Sequence, residues 1–315
     1  MPVAEDDARV DPTLVKVLDA VPYQLSLRDG VGAARQRLRG LPRRPVHPEL
    51  RVEDRAIAGP AGDLPVRIYW PPATGSGAAP VVVFFHGGGF VAGDLDTHDG
   101  IARLHAAGAN AVVVSVDYRL APEHPYPAAV QDALAATEWV SAHAGELGAD
   151  PQRLAVAGDS AGGTLSAVVT QLARDAGGPS IVFQLLWYPA TTYDTSLPSF
   201  AENAEAPIIG RSAIAELSLA YAGAVDLSDP PATLAPARAT NLAALPPAYI
   251  AVAGHDPLRD DGIRYGELLA AAGVPVQVHN AKTMVHGYVG YAGVVPAATA
   301  ATDLGLAALN AALQP

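Results

Sequence analysis

Three side chains able to share one reaction stand far apart in the chain: Ser160 in Gly158-Asp159-Ser160-Ala161-Gly162-Gly163, Asp256 in Gly254-His255-Asp256-Pro257, and His286 before Gly287-Tyr288. A serine hydroxyl becomes a nucleophile when a base takes its proton, and a histidine is that base when a carboxylate fixes its tautomer. The chemistry such a set performs is acyl transfer through a covalent intermediate. Gly158 and Gly162 bracket the serine in G-x-S-x-G spacing. Their missing Cβ atoms let a strand and a helix crowd a residue in the strained backbone of a nucleophile elbow.

Acyl transfer also needs donors for a negative oxygen. His86-Gly87-Gly88-Gly89-Phe90 follows the apolar run Val81–Phe85, and three glycines there let backbone N–H groups converge on an anion. A phosphate loop would need a following Lys-Ser/Thr or a G-x-G-x-x-G spacing, and neither is present. His86 itself reads as an anchor of the loop. Asp256 is the expected acid, because it comes first after a late strand, whereas Asp260 and Asp261 fall at a helix start where the dipole favours them without chemistry. Of nine histidines, His47, His105 and His143 lie in linker or helix, His98 and His124 in loops after earlier strands, and His255 beside the acid. His279 sits inside a strand, which leaves His286, on the loop expected over 281–288, as the base. The order Ser160, Asp256, His286 is that of an α/β-hydrolase rather than of the chymotrypsin or subtilisin folds.

The elements that must position these residues follow from periodicity. Near-continuous runs of β-formers at 81–85, 111–116, 154–158, 181–188, 248–253 and 274–279 predict parallel strands covered on both faces. Helical patterns at 99–108, 128–145, 161–175, 259–272 and 293–312 lie between or after them, so the chain reads as an α/β layer structure. Two antiparallel strands at 52–57 and 64–70 precede this, joined by a turn at 59–62 and followed by a Pro/Gly/Ala linker at 71–80. Residues 1–45 hold two helices ahead of the prolines at 42, 45 and 48, and 46–315 form the catalytic domain. A long polar stretch at about 189–245, with one helix near 212–221, interrupts the alternation and reads as an insertion forming a cap with the N-terminal helices.

Composition narrows the partners. The 315 residues carry a formal charge of −12 and no basic cluster longer than Arg43-Arg44, which argues against nucleic acid or an anionic membrane surface. There is no cysteine, hence no thiolate nucleophile or thiolate metal site. The acidic start Met1–Asp7 lacks the pattern of a signal peptide and no apolar stretch would span a bilayer, so a cytoplasmic protein is expected, with a small-molecule partner and no metal or cofactor.

His86–Phe90, Tyr118-Arg-Leu-Ala-Pro-Glu-His-Pro-Tyr-Pro-Ala128, GDSAGG at 158–163, DPLRDDG from Asp256 and HGY from His286 together resemble the bacterial hormone-sensitive lipase family of esterases, in its GDSAGG branch. The resemblance runs from 86 to 288. It implies an α/β-hydrolase fold with a mostly parallel eight-stranded sheet, helices on both faces and a helical cap. It implies that Gly88, Gly89 and Ala161 donate to the oxyanion, that Gly87 shapes the loop, and that His86 and Asp159 support the motifs. At Phe90 and Tyr288 the chain departs slightly from the family pattern, which puts the pocket's polarity in question. The expected activity is serine carboxylesterase on short- to medium-chain acyl esters. The alternatives are the same triad acting on amides, lactones or carbamates, or a non-catalytic small-molecule receptor, whose branch has lost the base histidine. A homodimer is expected by analogy only.

Overall fold

A computed structural model describes residues 9–72 and 77–314. The acidic start at 1–7 and positions 73–76 of the expected linker lie outside the described residues. In chain order the elements are α1 (Pro12–Ala20), α2 (Val31–Arg39), β1 (Arg51–Gly59), β2 (Gly62–Trp70), β3 (Ala79–Phe85), α3 (Asp99–Ala109), β4 (Val112–Val116), α4 (Ala128–His143), β5 (Ala149–Asp159), α5 (Ala161–Ala176), β6 (Ile181–Trp187), α6 (Pro198–Glu202), α7 (Arg211–Ala222), β7 (Ala248–His255), α8 (Arg259–Ala271), β8 (Val276–Val285) and α9 (Pro296–Leu313).

Val81–Phe85 is fully buried because it runs through the middle of one eight-stranded sheet of order β1-β2-β4-β3-β5-β6-β7-β8. Alternate residues face opposite layers. Val81, Val83 and Phe85 share an apolar cluster with Ala133 and Val140 of α4 and Leu165 and Val168 of α5, while Val82 and Phe84 cluster with Ala102 and Ala106 of α3 and Leu309 of α9. β1 and β2 form an antiparallel hairpin closing at Gly59 and Gly62, β2 runs antiparallel to β4, and the remaining pairs are parallel. Parallel pairing brings the carboxyl ends of β3, β5, β7 and β8 to one edge of the sheet. Phe85 pairs with Gly158, Asp159 with Trp187, Trp187 with Ala251, and His255 with Val285. Residues 86, 160, 256 and 286 therefore leave the sheet side by side.

Three features depart most from the sequence reading. β8 begins at Val276 and continues to Val285, so much of the segment expected as a loop is strand, and His286 is the first residue beyond it. The extension pairs with β7 across an irregularity between Ala253 and His255, which a simple apolar run does not signal. β5 begins at Ala149 rather than 154, since Ala149 pairs with Ala79 through polar residues of low strand propensity. The polar stretch after β6 holds the short helix α6, started by Pro198 at its first position, in addition to α7.

That stretch is tied down at both ends of its reach. Asp261 at the start of α8 is buried and accepts from the N–H and hydroxyl of both Thr191 and Thr192, while Asp260 accepts from Ser199 N–H at 2.8 Å. Burial pushes the Asp261 carboxyl up, and those donors only partly offset it. From the other side, Leu25 N–H donates to Ile208 carbonyl at 2.7 Å and Leu27 N–H to Glu216 of α7 at 2.9 Å. The segment between α1 and α2 thus meets the insertion directly.

Candidate active site

Ser160 sits at the tip of the turn from β5 into α5 with φ 55° and ψ −117°, a region that residues with a Cβ rarely occupy. Its N–H donates to Trp187 carbonyl at 2.8 Å and its carbonyl accepts from Thr164 N–H at 3.0 Å, so both flanking peptides are fixed. A Cβ on Gly162 would run into the Phe85 carbonyl, and one on Gly158 into the Gly162 backbone. The two glycines are what let β3, β5 and α5 close around the serine.

The hydroxyl of Ser160 lies 2.9 Å from His286 Nε2, and His286 Nδ1 lies 2.7 Å from Asp256 Oδ2. Asp256 is completely buried and its other oxygen accepts from Leu258 N–H at 2.9 Å. A carboxylate only accepts, so Nδ1 carries the imidazole hydrogen and Nε2 presents a lone pair to the serine. His279, the rival base, lies within β8, and Asp260 and Asp261 are engaged with the insertion as above. The ring of Tyr188, a residue the sequence reading did not single out, packs against His286 with centroids 4.7 Å apart.

Beside the serine, the glycine loop is built by tying down one carbonyl after another. Tyr118 hydroxyl donates to His86 carbonyl at 2.6 Å, and Gly87 N–H, on the opposite side of that peptide, donates to Asp159 Oδ1 at 2.9 Å. His86 Nδ1 donates to Gly87 carbonyl at 2.8 Å. Val91 and Ala92 N–H groups both donate to Gly88 carbonyl. A trans peptide points its N–H away from its carbonyl. The N–H groups of Gly88 and Gly89 are therefore turned away from these contacts. Ala161 N–H is similarly opposed to the Ser160 carbonyl and, at the first position of α5, has no intrahelical acceptor. Such a set can bind a developing oxyanion with no reorganisation.

Two buried groups hold this scaffold. Burial lowers the His86 ring to about 4, so it is neutral, stacked 4.3 Å from the Tyr118 ring. Burial alone would raise the Asp159 carboxyl, but His98 at 3.6 Å, His86 and the Gly87 N–H together hold it below its ordinary value. A Cβ on Gly87 would collide with that carboxylate, so glycine is required there. The role of His98 escaped the sequence reading, because only the fold brings it to Asp159.

Ser160, Ala161 and Gly89 open onto a cavity of about 360 Å³ walled mainly by the insertion, including Phe200, Ile209, Ile214, Leu217 and Leu227. Phe90 also lines it, stacked 3.7 Å from Tyr221 of α7, whereas Tyr288 is fully buried behind the site, edge-on to Trp187. The wall is mostly apolar, with Tyr193, Asp194, Thr195, Ser218 and Asp261 as its polar members besides Ser160, and Tyr288 is not part of it.

The pattern of the alpha/beta hydrolase fold matches residues 82–290, about two thirds of the chain and all of the motifs above. The chain belongs to that family. Esterase LipI of Mycobacterium tuberculosis is 70% identical over 311 residues, covering 98% of this chain and 97% of the relative. Carboxylesterase NlhH of the same organism is 58% identical, covering 96% of each. Among solved structures, that of DphMB1 is 69% identical with a TM-score of 0.93 over 96% of this chain and 99% of that one. An esterase of Pyrobaculum calidifontis is 35% identical with a TM-score of 0.86 over 96% and 98%. These likenesses bear out the resemblance to esterases of the hormone-sensitive lipase kind.

Proposed function

We propose that this carboxylesterase cleaves short- to medium-chain acyl esters through an acyl-enzyme on Ser160. The observation that carries the proposal is the hydrogen-bonded chain from Asp256 through His286 to Ser160, with the hydroxyl facing a mostly apolar cavity. His286 Nε2 takes the serine proton as Oγ attacks the acyl carbon, and the carbonyl oxygen becomes an oxyanion held by the N–H groups of Gly88, Gly89 and Ala161. When the tetrahedral species collapses, His286 returns the proton to the departing alkoxide. A water molecule then attacks the acyl-enzyme with His286 again as base, restoring the serine. Asp256 stabilises the imidazolium formed in each half-reaction. The residues up to 45 and the insertion at 189–245 act as the cap that selects the acyl group. The contacts of Leu25 and Leu27 with the insertion, and its share of the cavity wall, support that reading.

A dialkyl p-nitrophenyl phosphate is expected to stop activity with one adduct per chain, which mass spectrometry should place on Ser160. An adduct on another serine would overturn the assignment. A cavity of about 360 Å³ lies at the small end of ligand sites, roughly 300–1,000 Å³. Over p-nitrophenyl esters from acetate to palmitate, kcat/KM is expected to peak at roughly four to eight acyl carbons and to fall at least about ten-fold by palmitate. A plateau through the long chains would mean that the insertion does not bound the acyl group.

A further inference from the structure

The stretch Tyr118–Ala128 carries one of the chain's most distinctive sequence patterns, yet it supplies none of the reacting groups. Its contacts show what it serves. Ala121 N–H donates to Phe90 carbonyl at 2.8 Å, while the Ala121 carbonyl accepts from Arg35 Nη2 at 3.0 Å. Arg35 stands on α2, and its Nε donates to Val91 carbonyl at 2.8 Å. Its two terminal nitrogens also grip Glu123 of the same stretch, each at 2.7 Å. One planar guanidinium therefore joins the N-terminal helix, the Tyr118–Ala128 stretch and the segment following the oxyanion glycines. Four residues further along α2, Arg39 reaches Asp94 at 2.7 Å, in that same segment.

We propose that Arg35 is a positioning residue for the oxyanion loop, held in place by Glu123. This rests on the reading of Gly88 and Gly89 as oxyanion donors. Gly88, Gly89 and Phe90 have φ values of 118°, 63° and 62°; glycine takes such values freely, so the two glycines do not fix their own peptide planes and only Phe90 is held there against its side chain. The Gly89 N–H is aimed because its peptide partner, the Gly88 carbonyl, is caught by Val91 and Ala92 N–H. Val91 is completely buried, so its carbonyl has no water to turn to, and the guanidinium is what fixes the plane that carries it. On the other side of the loop, Leu217 of α7 lies over Gly89 so closely that a Cβ there would meet its Cδ1 at 2.8 Å. Leu217 blocks movement outward, but it supplies no hydrogen bond to set the direction of the N–H. Arg35 does so through Val91. Glu123 has a side chain 55% exposed, and an ion pair at that exposure contributes little stability of its own, so its task is orientation of the fork.

The test uses the full chain with Arg35→Met, Arg35→Lys and Glu123→Gln. It measures kcat and KM on p-nitrophenyl butyrate, Tm, and Ki for an alkyl trifluoromethyl ketone, whose hemiketal with a catalytic serine places a real oxyanion between the donors. Arg35→Met is expected to lower kcat about ten-fold with KM within about three-fold, and to raise Ki by the same factor as kcat falls. That is well short of the hundred- to thousand-fold loss for removing a donor outright. Arg35→Lys keeps a charge and three N–H donors but puts them on one nitrogen, without the planar fork that spans Val91, Ala121 and Glu123 together, and should fall between wild type and Arg35→Met. Glu123→Gln should lower kcat and raise Ki by about two- to three-fold. A lowered Tm with kcat and Ki unchanged would make Arg35 a purely structural tie and overturn the proposal. Should Arg35→Met fail to fold, the other two variants decide by the same readouts, and unmoved kcat and Ki overturn it. A ketone that does not inhibit the wild type would overturn the donor assignment itself, whereas inhibition equal in wild type and variants removes only the role given to Arg35.

Discussion

Ser160→Ala is expected to lower kcat by about a million-fold on any ester the wild type cleaves, leaving a residue of turnover from the oxyanion donors and the cavity. The size of the loss follows from the geometry. No other hydroxyl is in contact with His286 among the described hydrogen bonds, and the Oγ at 2.9 Å is the atom that the Asp256–His286 pair is aligned to deprotonate. The loss should come with almost no change in stability, because alanine keeps the Cβ and hence the same strain at φ 55°. Ser160→Gly separates the two effects. It should be equally inactive, yet stabilised by about 1 kcal/mol, raising Tm by about 2 °C, because glycine occupies that region freely. A Ser160→Ala enzyme with near-normal activity, assayed as a preparation free of wild type, would mean that the nucleophile is elsewhere.

Ser160 and Asp256 were readable from sequence because each follows a strand whose apolar run is unambiguous, as does the glycine loop, whereas His286 was reached by setting aside the other histidines. Val81–Phe85, Leu154–Gly158 and Ala248–Ala253 are buried on both faces, and apolar runs so short are read as strands rather than helices. Gly158 and Gly162 were informative for a different reason, since their neighbours' backbones occupy the space where a side chain would be. Ala149–Arg153 and Ala281–Val285 were misjudged because pairing with an existing strand, not propensity, makes them extended.

What could not be read was the layer of contacts behind the donors. Arg35 meets Val91 and Glu123 across separations of 56 and 88 residues, and His98 meets Asp159 across a comparable span. Nothing in local spacing marks such pairs, because an arginine on a short polar helix looks like any solvated residue. The neutrality of His86 is also a property of the fold: only complete burial under Tyr118 and beside His98 lowers it to about 4 and commits Nδ1 to the Gly87 carbonyl. The motif names the residues of the glycine loop, and the peptide planes that aim its N–H groups come from contacts outside it.

Asp256→Asn tests the other end of the proton path, with an expected loss of about ten thousand-fold in kcat. Asparagine has the same shape, but its amide must satisfy two fixed partners at once. Leu258 N–H can only donate, so at 2.9 Å it claims the amide oxygen. The NH₂ group is then left facing His286 Nδ1 at the 2.7 Å contact, where it too can only donate. Nδ1 must become the acceptor, which places the ring hydrogen on Nε2, against the serine hydroxyl. In that tautomer His286 donates to Ser160 instead of accepting from it, and the base is lost although each hydrogen bond is kept. Stability should accordingly change little, in contrast to Asp256→Ala, which strands Leu258 N–H in a buried site at a cost of about 1–3 kcal/mol. Asp260→Asn is the control: its carboxylate serves Ser199 and Arg259, so kcat should stay within a few-fold of wild type. If Asp260→Asn were the crippled variant and Asp256→Asn the active one, the acid would have to be reassigned from the turn after β7 to the start of α8.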